Sequence, residues 1–237
     1  AGVPEEGEIG LTASLSALAG RVAIPIGDEV VLRMAGNRTS TALMFRVNGH
    51  DTDFVRVPES RNGSGSLSWE YRPGGRLKLY AYDEWNRYAV VVDEPSYEGS
   101  FTGDDGSALW VVSLRDKAGP VGVRASLSGS RRSEHQESGA FRLTERDRYY
   151  QLRAEASVEP WPGVLVRGGG EGERRSALIK GALPQSRADL RPGAPATLFE
   201  SRVRGDRWAA FGEIEWRAAS ALHVAAGLRR DAATLSG

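Results

Sequence analysis

The sequence predicts an all-β fold: an antiparallel, up-and-down transmembrane β-barrel of about ten strands, read as part of a larger barrel. Three observations carry this. Segments of roughly ten residues alternate small or apolar side chains with polar ones, the period of a strand with one face in lipid and the other in water. Very short turns at residues 25–28, 73–75, 117–120, 159–163 and 218–220 exchange with long polar connections near 39–63, 87–106, 132–145 and 175–206. Tryptophan and tyrosine gather beside both kinds of connection, as amphipathic rings do at a headgroup boundary.

Composition narrows the function classes. The chain has 237 residues, 31 Lys+Arg against 31 Asp+Glu, three histidines, no cysteine and 29 glycines. That length suits one β domain, read here as a single barrel segment over 1–237. Zero formal charge and no basic face give no electrostatic reason to expect a nucleic-acid partner. Absent cysteine removes disulfides and thiolate metal sites. No run of about eighteen apolar residues exists, so no transmembrane helix is expected. The polar average composition is what a wet lumen and aqueous loops require. The opening AGVPEEGEIG is acidic and lacks an apolar core, so no secretory signal starts at Ala1 and the chain is read as a mature form or a fragment.

The strands follow in order. Over 8–23, Ile9, Leu11, Ala13, Leu15, Ala17 and Ala19 share one parity, with Thr12, Ser14 and Ser16 on the other. Over 30–38, Val30, Leu32 and Met34 oppose Val31, Arg33 and Ala35. Over 64–72, Leu67, Trp69 and Tyr71 oppose Ser64, Ser66, Ser68 and Glu70, and Arg72-Pro73-Gly74-Gly75 turns the chain. Over 76–86, Leu77, Leu79, Ala81 and Trp85 oppose Lys78, Tyr80, Tyr82 and Glu84, with Asp83 breaking the apolar face near its loop end. Two further segments, 107–116 and 121–131, place Trp110, Val112 and Leu114, then Val123, Ala125 and Leu127, on their apolar faces. In 146–158, Tyr150, Leu152, Ala154 and Ala156 oppose Gln151, Arg153, Glu155 and Ser157; 164–174 follows. The last two segments, 207–217 and 221–230, set Ala210, Gly212, Ile214 and Trp216, then Leu222, Val224, Ala226 and Leu228, outward.

The opposite parity carries Arg33, Lys78, Glu84, Arg115, Arg124, Arg153, Glu155, Glu213, Glu215 and Arg229. A sandwich core would reject such charges unpaired, whereas a wet lumen accepts them. For each residue singly, ion pairing between neighbouring strands is the simpler expectation.

The segments AGVPEEGEIGLTASLSALAGRVAIPIG, GSLSWEYRPGGRLKLYAYDEWNRYAVVVDEPSYEGSF and FGEIEWRAASALHVAAGLRRD resemble stretches of TonB-dependent receptors, the outer-membrane transporters of bacteria. The first is similar to the exit from a plug domain into the first barrel hairpin, so residues 1–7 are read as the end of that linker. The resemblance implies the N-terminal part of a barrel of roughly 22 strands, located in the bacterial outer membrane. It further implies uptake of a scarce solute such as a siderophore, cobalamin or glycan. Its partners would be outer-membrane lipid, an unidentified small-molecule ligand, and TonB only through a plug that these residues do not contain.

Candidate chemistry is thin. His50 beside Asp51 and Asp53, with Asp104 and Asp105, would serve an outer-membrane protease of ten strands, the alternative reading, but no local motif supports it and adjacent residues of an extended segment point opposite ways. Asp93-Glu94 with Asp104-Asp105 offers oxygen ligands for calcium without the spacing of a calcium loop. Gly168-Gly169-Gly170 lacks the following Lys-Ser/Thr of a phosphate loop and is read as closely packed strand glycine. No catalytic residue, metal ligand or cofactor is therefore expected, and the chain is not read as an enzyme. A soluble secreted β-sheet binding module is the third reading.

Overall fold

A computed structural model describes residues 6–49, 54–94, 97–186, 189–219 and 222–236. They form one antiparallel sheet of eleven strands in sequence order, each hydrogen-bonded to the next. In order these are β1 Glu8–Ala13, β2 Ala17–Ile26, β3 Val30–Ser40, β4 Phe54–Arg72, β5 Gly75–Glu94 and β6 Tyr97–Ala118. They continue as β7 Val121–Ser138, β8 Phe141–Trp161, β9 Val164–Pro184, β10 Ala196–Ala219 and β11 Leu222–Ser236. A seven-residue helix, α1 Ala42–Asn48, lies between β3 and β4 and ends on Gly49, whose left-handed φ of 72° brings its N–H back to the Arg46 carbonyl.

The up-and-down barrel topology expected from the sequence is present, as an open sheet with β1 and β11 at its edges. Among the described residues no second sheet covers either face. Val31, Ala89, Tyr97, Ala182 and Ala209 are the buried apolar side chains among the described residues, while Ile24, Met34, Leu127, Leu152, Ile214 and Leu228 stand exposed. A soluble sandwich buries such residues against a facing sheet. A single layer exposing them on one parity is stable only with lipid against that face.

Register preserves the parity deduced from the sequence across most of the sheet. Leu79 opposes Leu67 and Val112; Leu127 opposes Val112 and Leu152; Ile214 opposes Val166 and Ala226. On the opposite face Arg153 lies across from Ser126 and Glu171. Trp69, Trp110, Tyr150, Trp208 and Trp216 all fall on the apolar parity. Trp208 and Trp216 are eight residues apart, or about 26 Å along a strand, close to the ~25 Å apolar band of such barrels.

Three expectations need correction. The segment 8–23 is two strands, which makes the count eleven. Ser14 folds the chain by accepting the Ala17 N–H on its Oγ at 3.0 Å while its own N–H bonds the Ala17 carbonyl at 2.8 Å. Because Ala13 pairs with Leu18, the outward parity switches there: Leu18 and Val22 continue the face of Ile9 and Leu11, and Ala17 and Ala19 turn inward. Alternation ran on through the turn because Leu15 stands between two serines there and the alanines that follow fit either face.

The long polar connections are the third correction, since most of them are strand. Residues 132–145 pair down to Ser138 opposite Phe141, leaving a two-residue turn at Gly139 and Ala140. Likewise Arg87 to Glu94 pairs with Tyr97 to Asp104. Strands reach 24 residues in β10, about 80 Å of chain, far more than a ~30 Å hydrocarbon core needs. Above the membrane both faces meet water, so hydrophobic alternation disappears while backbone pairing continues. The expected turns near 25–28, 73–75, 117–120 and 159–163 are found; that at 218–220 falls partly outside the described residues.

Candidate functional site

The inward face of β7–β11 holds a connected series of ion pairs. On β8, Glu155 receives Arg124 from β7 at 3.8 Å and Arg153 from its own strand at 3.6 Å. Arg153 also reaches Glu171 of β9 at 3.9 Å, and Glu171 pairs with Arg229 of β11, two strands away. From Arg229 the series passes to Asp231 at 3.0 Å, to Arg207 at 3.1 Å and to Glu173 at 4.0 Å. Gln151 donates to Glu173 at 3.2 Å. Nearer the short turns Arg167 bridges Glu215 at 2.8 Å and Glu213 at 3.9 Å, and His223 lies 3.6 Å from Glu215.

Two-residue periodicity explains this. With inward positions occurring at every second residue, carboxylates and guanidinium groups on adjacent strands arrive about 5 Å apart at each row. Glu171 is the centre: its side chain is 9 % exposed and serves arginines from both sides. Phe211 lies over Gly169, and the Arg153 guanidinium sits 5.6 Å from the Phe211 ring. Replacing Glu171 with Gln should lower the urea midpoint of the folded barrel, because Arg153 and Arg229 lose their shared counter-charge. An unchanged midpoint would remove the series from the forces holding these strands in place.

Of the inward charges expected from the sequence, Arg124, Arg153, Glu155, Glu213, Glu215 and Arg229 all enter these pairs. Glu84 instead accepts from Tyr82 at 2.9 Å and Asn86 at 3.3 Å. Among the described residues Arg33, Lys78 and Arg115 have no carboxylate partner within 4.0 Å. Arg76, Arg115 and Arg124 stand directly opposite one another on β5, β6 and β7. Sequence reading passed over Glu171, Glu173, Arg207 and Asp231, although the odd positions Arg167, Glu171, Glu173 and Arg175 already alternate with Gly168, Gly170 and Gly172.

The enzymatic and metal readings gain nothing. His50, Asp51 and Asp53 lie outside the described residues. Asp93 pairs in register with Glu98 and Asp104 with Arg87, which separates the two acidic pairs by about 20 Å along the strands. Asp105 accepts from Asn86 at 3.0 Å. Among the described residues no group of three or more potential ligands could hold a metal ion. Gly169 is the closely packed strand glycine expected, with the Ala154 carbonyl oxygen 2.4 Å from where a Cβ would stand.

A connection without strand among its described residues joins β9 to β10. Its Asp189 accepts from Arg191 Nε at 2.8 Å and from Nη2 at 2.9 Å. These charge-assisted bonds hold the Asp189 carboxyl below its ordinary value and the Arg191 guanidinium above its own. The contribution of the pair is therefore present above the unfolded carboxylate pKa and is lost only as pH falls through the lowered one.

No protein-family model matches this chain, and no curated protein does. Solved structures do. The copper transporter OprC is 16 % identical with a TM-score of 0.65, over 98 % of this chain and 38 % of that one. The ferric-catecholate import receptor Fiu from E. coli K12, in its closed form, is 12 % identical with a TM-score of 0.66, over 94 % and 40 %. BauA, the ferric preacinetobactin receptor from Acinetobacter baumannii, is 13 % identical with a TM-score of 0.56, over 97 % and 41 %. The chain thus spans about two fifths of the length of each of these structures. At these identities the likeness is one of fold, and the chain has the fold of part of a TonB-dependent receptor barrel.

Proposed function

We propose that this chain is one barrel segment, 1–237, of an outer-membrane receptor that takes up a scarce solute, with residues 1–7 leading in from a plug domain. The observation that carries this is the pairing of an apolar outward face with a charged inward one along an open eleven-stranded sheet. Unpaired edges in lipid cost several kcal/mol for each stranded backbone group. Further strands meeting β1 and β11 would remove that cost and enclose a lumen wide enough for a plug and its cargo. The neighbours named above carry copper or ferric complexes, which makes a metal or metal chelate the first cargo to test. TonB would act through the plug, and the paired inward surface would be the wall against which the plug moves.

The test measures accumulation of iron and copper in cells with and without the gene for the full-length protein, with the membrane energised or uncoupled by a protonophore. The expected result is an energised, gene-dependent gain in one metal. Equal accumulation of both metals in all four conditions would sink the metal-uptake reading. The protease alternative survives only if purified protein cleaves peptides and His50→Ala abolishes the cleavage.

A further inference from the structure

The cations of the inward face are unevenly matched. On β8–β11, Arg153, Arg167, Arg207 and Arg229 each have a carboxylate. On β5–β7 the balance fails. Arg76, Arg115 and Arg124 form one row across the three strands, and the next inward row, away from the short turns, is Lys78, Ser113 and Ser126, continued by Arg153 on β8. Glu70 holds Arg76, and Glu155 lies 3.8 Å from Arg124 while also serving Arg153. Among the described residues Lys78 and Arg115 have no carboxylate, and Ser113 and Ser126 make no side-chain hydrogen bond.

Like charges directly opposite on adjacent strands repel, and neighbouring strands lie only about 4.8 Å apart. Arg115, with an arginine on either side, therefore weakens the bare sheet unless an anion stands over it. The two rows frame an open concavity of about 420 Å³, lined by Arg76, Lys78, Arg115, Arg124, Arg153 and both serines against the single carboxylate of Glu155. Arg76 directly follows the turn at 73–75. The concavity thus lies at the short-turn end of the lumen, the periplasmic end of such barrels, at which a solute moving inward would leave.

We propose that the inward face of β5–β7 binds a phosphate group, with Lys78 and Arg115 as its counter-charges, Arg76 and Arg124 at its margin and the Ser113 and Ser126 hydroxyls as donors. This rests on the reading of the inward face as a wet lumen and goes beyond the metal-uptake reading. A phosphate monoester carries about −1.5 to −2 charges at neutral pH, which matches the two unpaired cations; a carboxylate matches one. Its oxygens accept bidentate bonds from a guanidinium, and each seryl hydroxyl has a proton to donate. Inorganic phosphate and the phosphate of a phosphorylated solute share that chemistry.

The test titrates the full-length protein in detergent with inorganic phosphate and with glucose 6-phosphate, in chloride of physiological ionic strength, by calorimetry. Saturable binding is expected; tighter binding of inorganic phosphate assigns the site to the free ion, and tighter binding of glucose 6-phosphate assigns it to a phosphorylated solute. The double variant K78Q/R115Q should weaken binding about ten-fold or more, the effect of losing a charge-assisted hydrogen bond, and S113A/S126A should weaken it without any change of charge. Because K78Q/R115Q removes repulsion, it should fold at least as well as wild type; the phosphate-induced rise in the urea midpoint should vanish in it. Arg148→Gln, on the outward parity of β8, should bind as wild type does. Absence of saturable binding would overturn the proposal, as when a carboxylate of the plug already fills the place. So would binding unchanged in K78Q/R115Q, or an equal loss in Arg148→Gln, which would make the effect one of overall charge. Failure of the membrane reading is distinguishable, because the wild-type protein would then stay monodisperse without detergent, and failure of metal uptake would leave phosphate binding intact.

Discussion

Ala154→Arg in the full-length barrel is expected to cost about 2–4 kcal/mol of folding free energy, lowering the folding equilibrium constant by a factor of about 30 to 1,000. Ala154 lies on the outward parity of β8, between Ala125 and Gly170. It is four residues below Tyr150 and seven before Trp161, well inside the apolar band. A guanidinium there has only apolar or side-chain-free neighbours, Ala125, Gly170 and the next outward residues Leu152 and Ala156, and no carboxylate to meet. The inward substitution Ser128→Arg, which faces Val111 and Gln151 in a wet lumen, should be nearly silent. Urea titration into and out of lipid micelles measures both. Equal losses at the two positions would mean that the faces have been assigned the wrong way round or that neither is in lipid.

The second large effect is expected from Gly169→Val, on the inward parity of β9. Its Cβ would stand 2.4 Å from the Ala154 carbonyl oxygen, 2.8 Å from Phe211 Cζ and 3.1 Å from the Glu155 Cα. The ring could swing aside; the backbone atoms could move only if β8 and β9 separated. Overpacking of this kind costs about 1–3 kcal/mol, and displacing Phe211 also uncovers Arg153, which anchors both Glu155 and Glu171. Gly172→Ala on the opposite parity has open space and provides the control. The readout is the urea midpoint. A Gly169→Val midpoint within error of Gly172→Ala would show that the strands tolerate a Cβ there and that the close approach is not a constraint.

Legibility in the sequence followed the environment of each residue. Within the apolar band, alternation was readable at once, as in Leu77, Leu79 and Ala81 against Lys78, Tyr80 and Tyr82. It failed in two physical situations. At Ser14–Ser16 the hairpin itself keeps the alternation, with Leu15 between two serines, so nothing in the pattern marks the reversal. Above the membrane, over 87–94 and 132–138, both faces are wet, so selection for alternation lapses although the strands persist.

The candidate site shows the same division. That Arg124, Arg153, Glu155 and Arg229 face inward was legible from parity alone. That Glu171 joins Arg153 to Arg229 was not, because the contact spans β8, β9 and β11 and depends on register.

What the amino-acid order by itself determined is the strand character of the chain and the side of the sheet on which most residues stand, because a two-residue period is a local property of an extended backbone. What only the tertiary structure decided is which rows align, as in the ion-pair series from Arg124 to Glu173. Register sets these, and register is a relation between strands some twenty residues apart or more, which no single strand records.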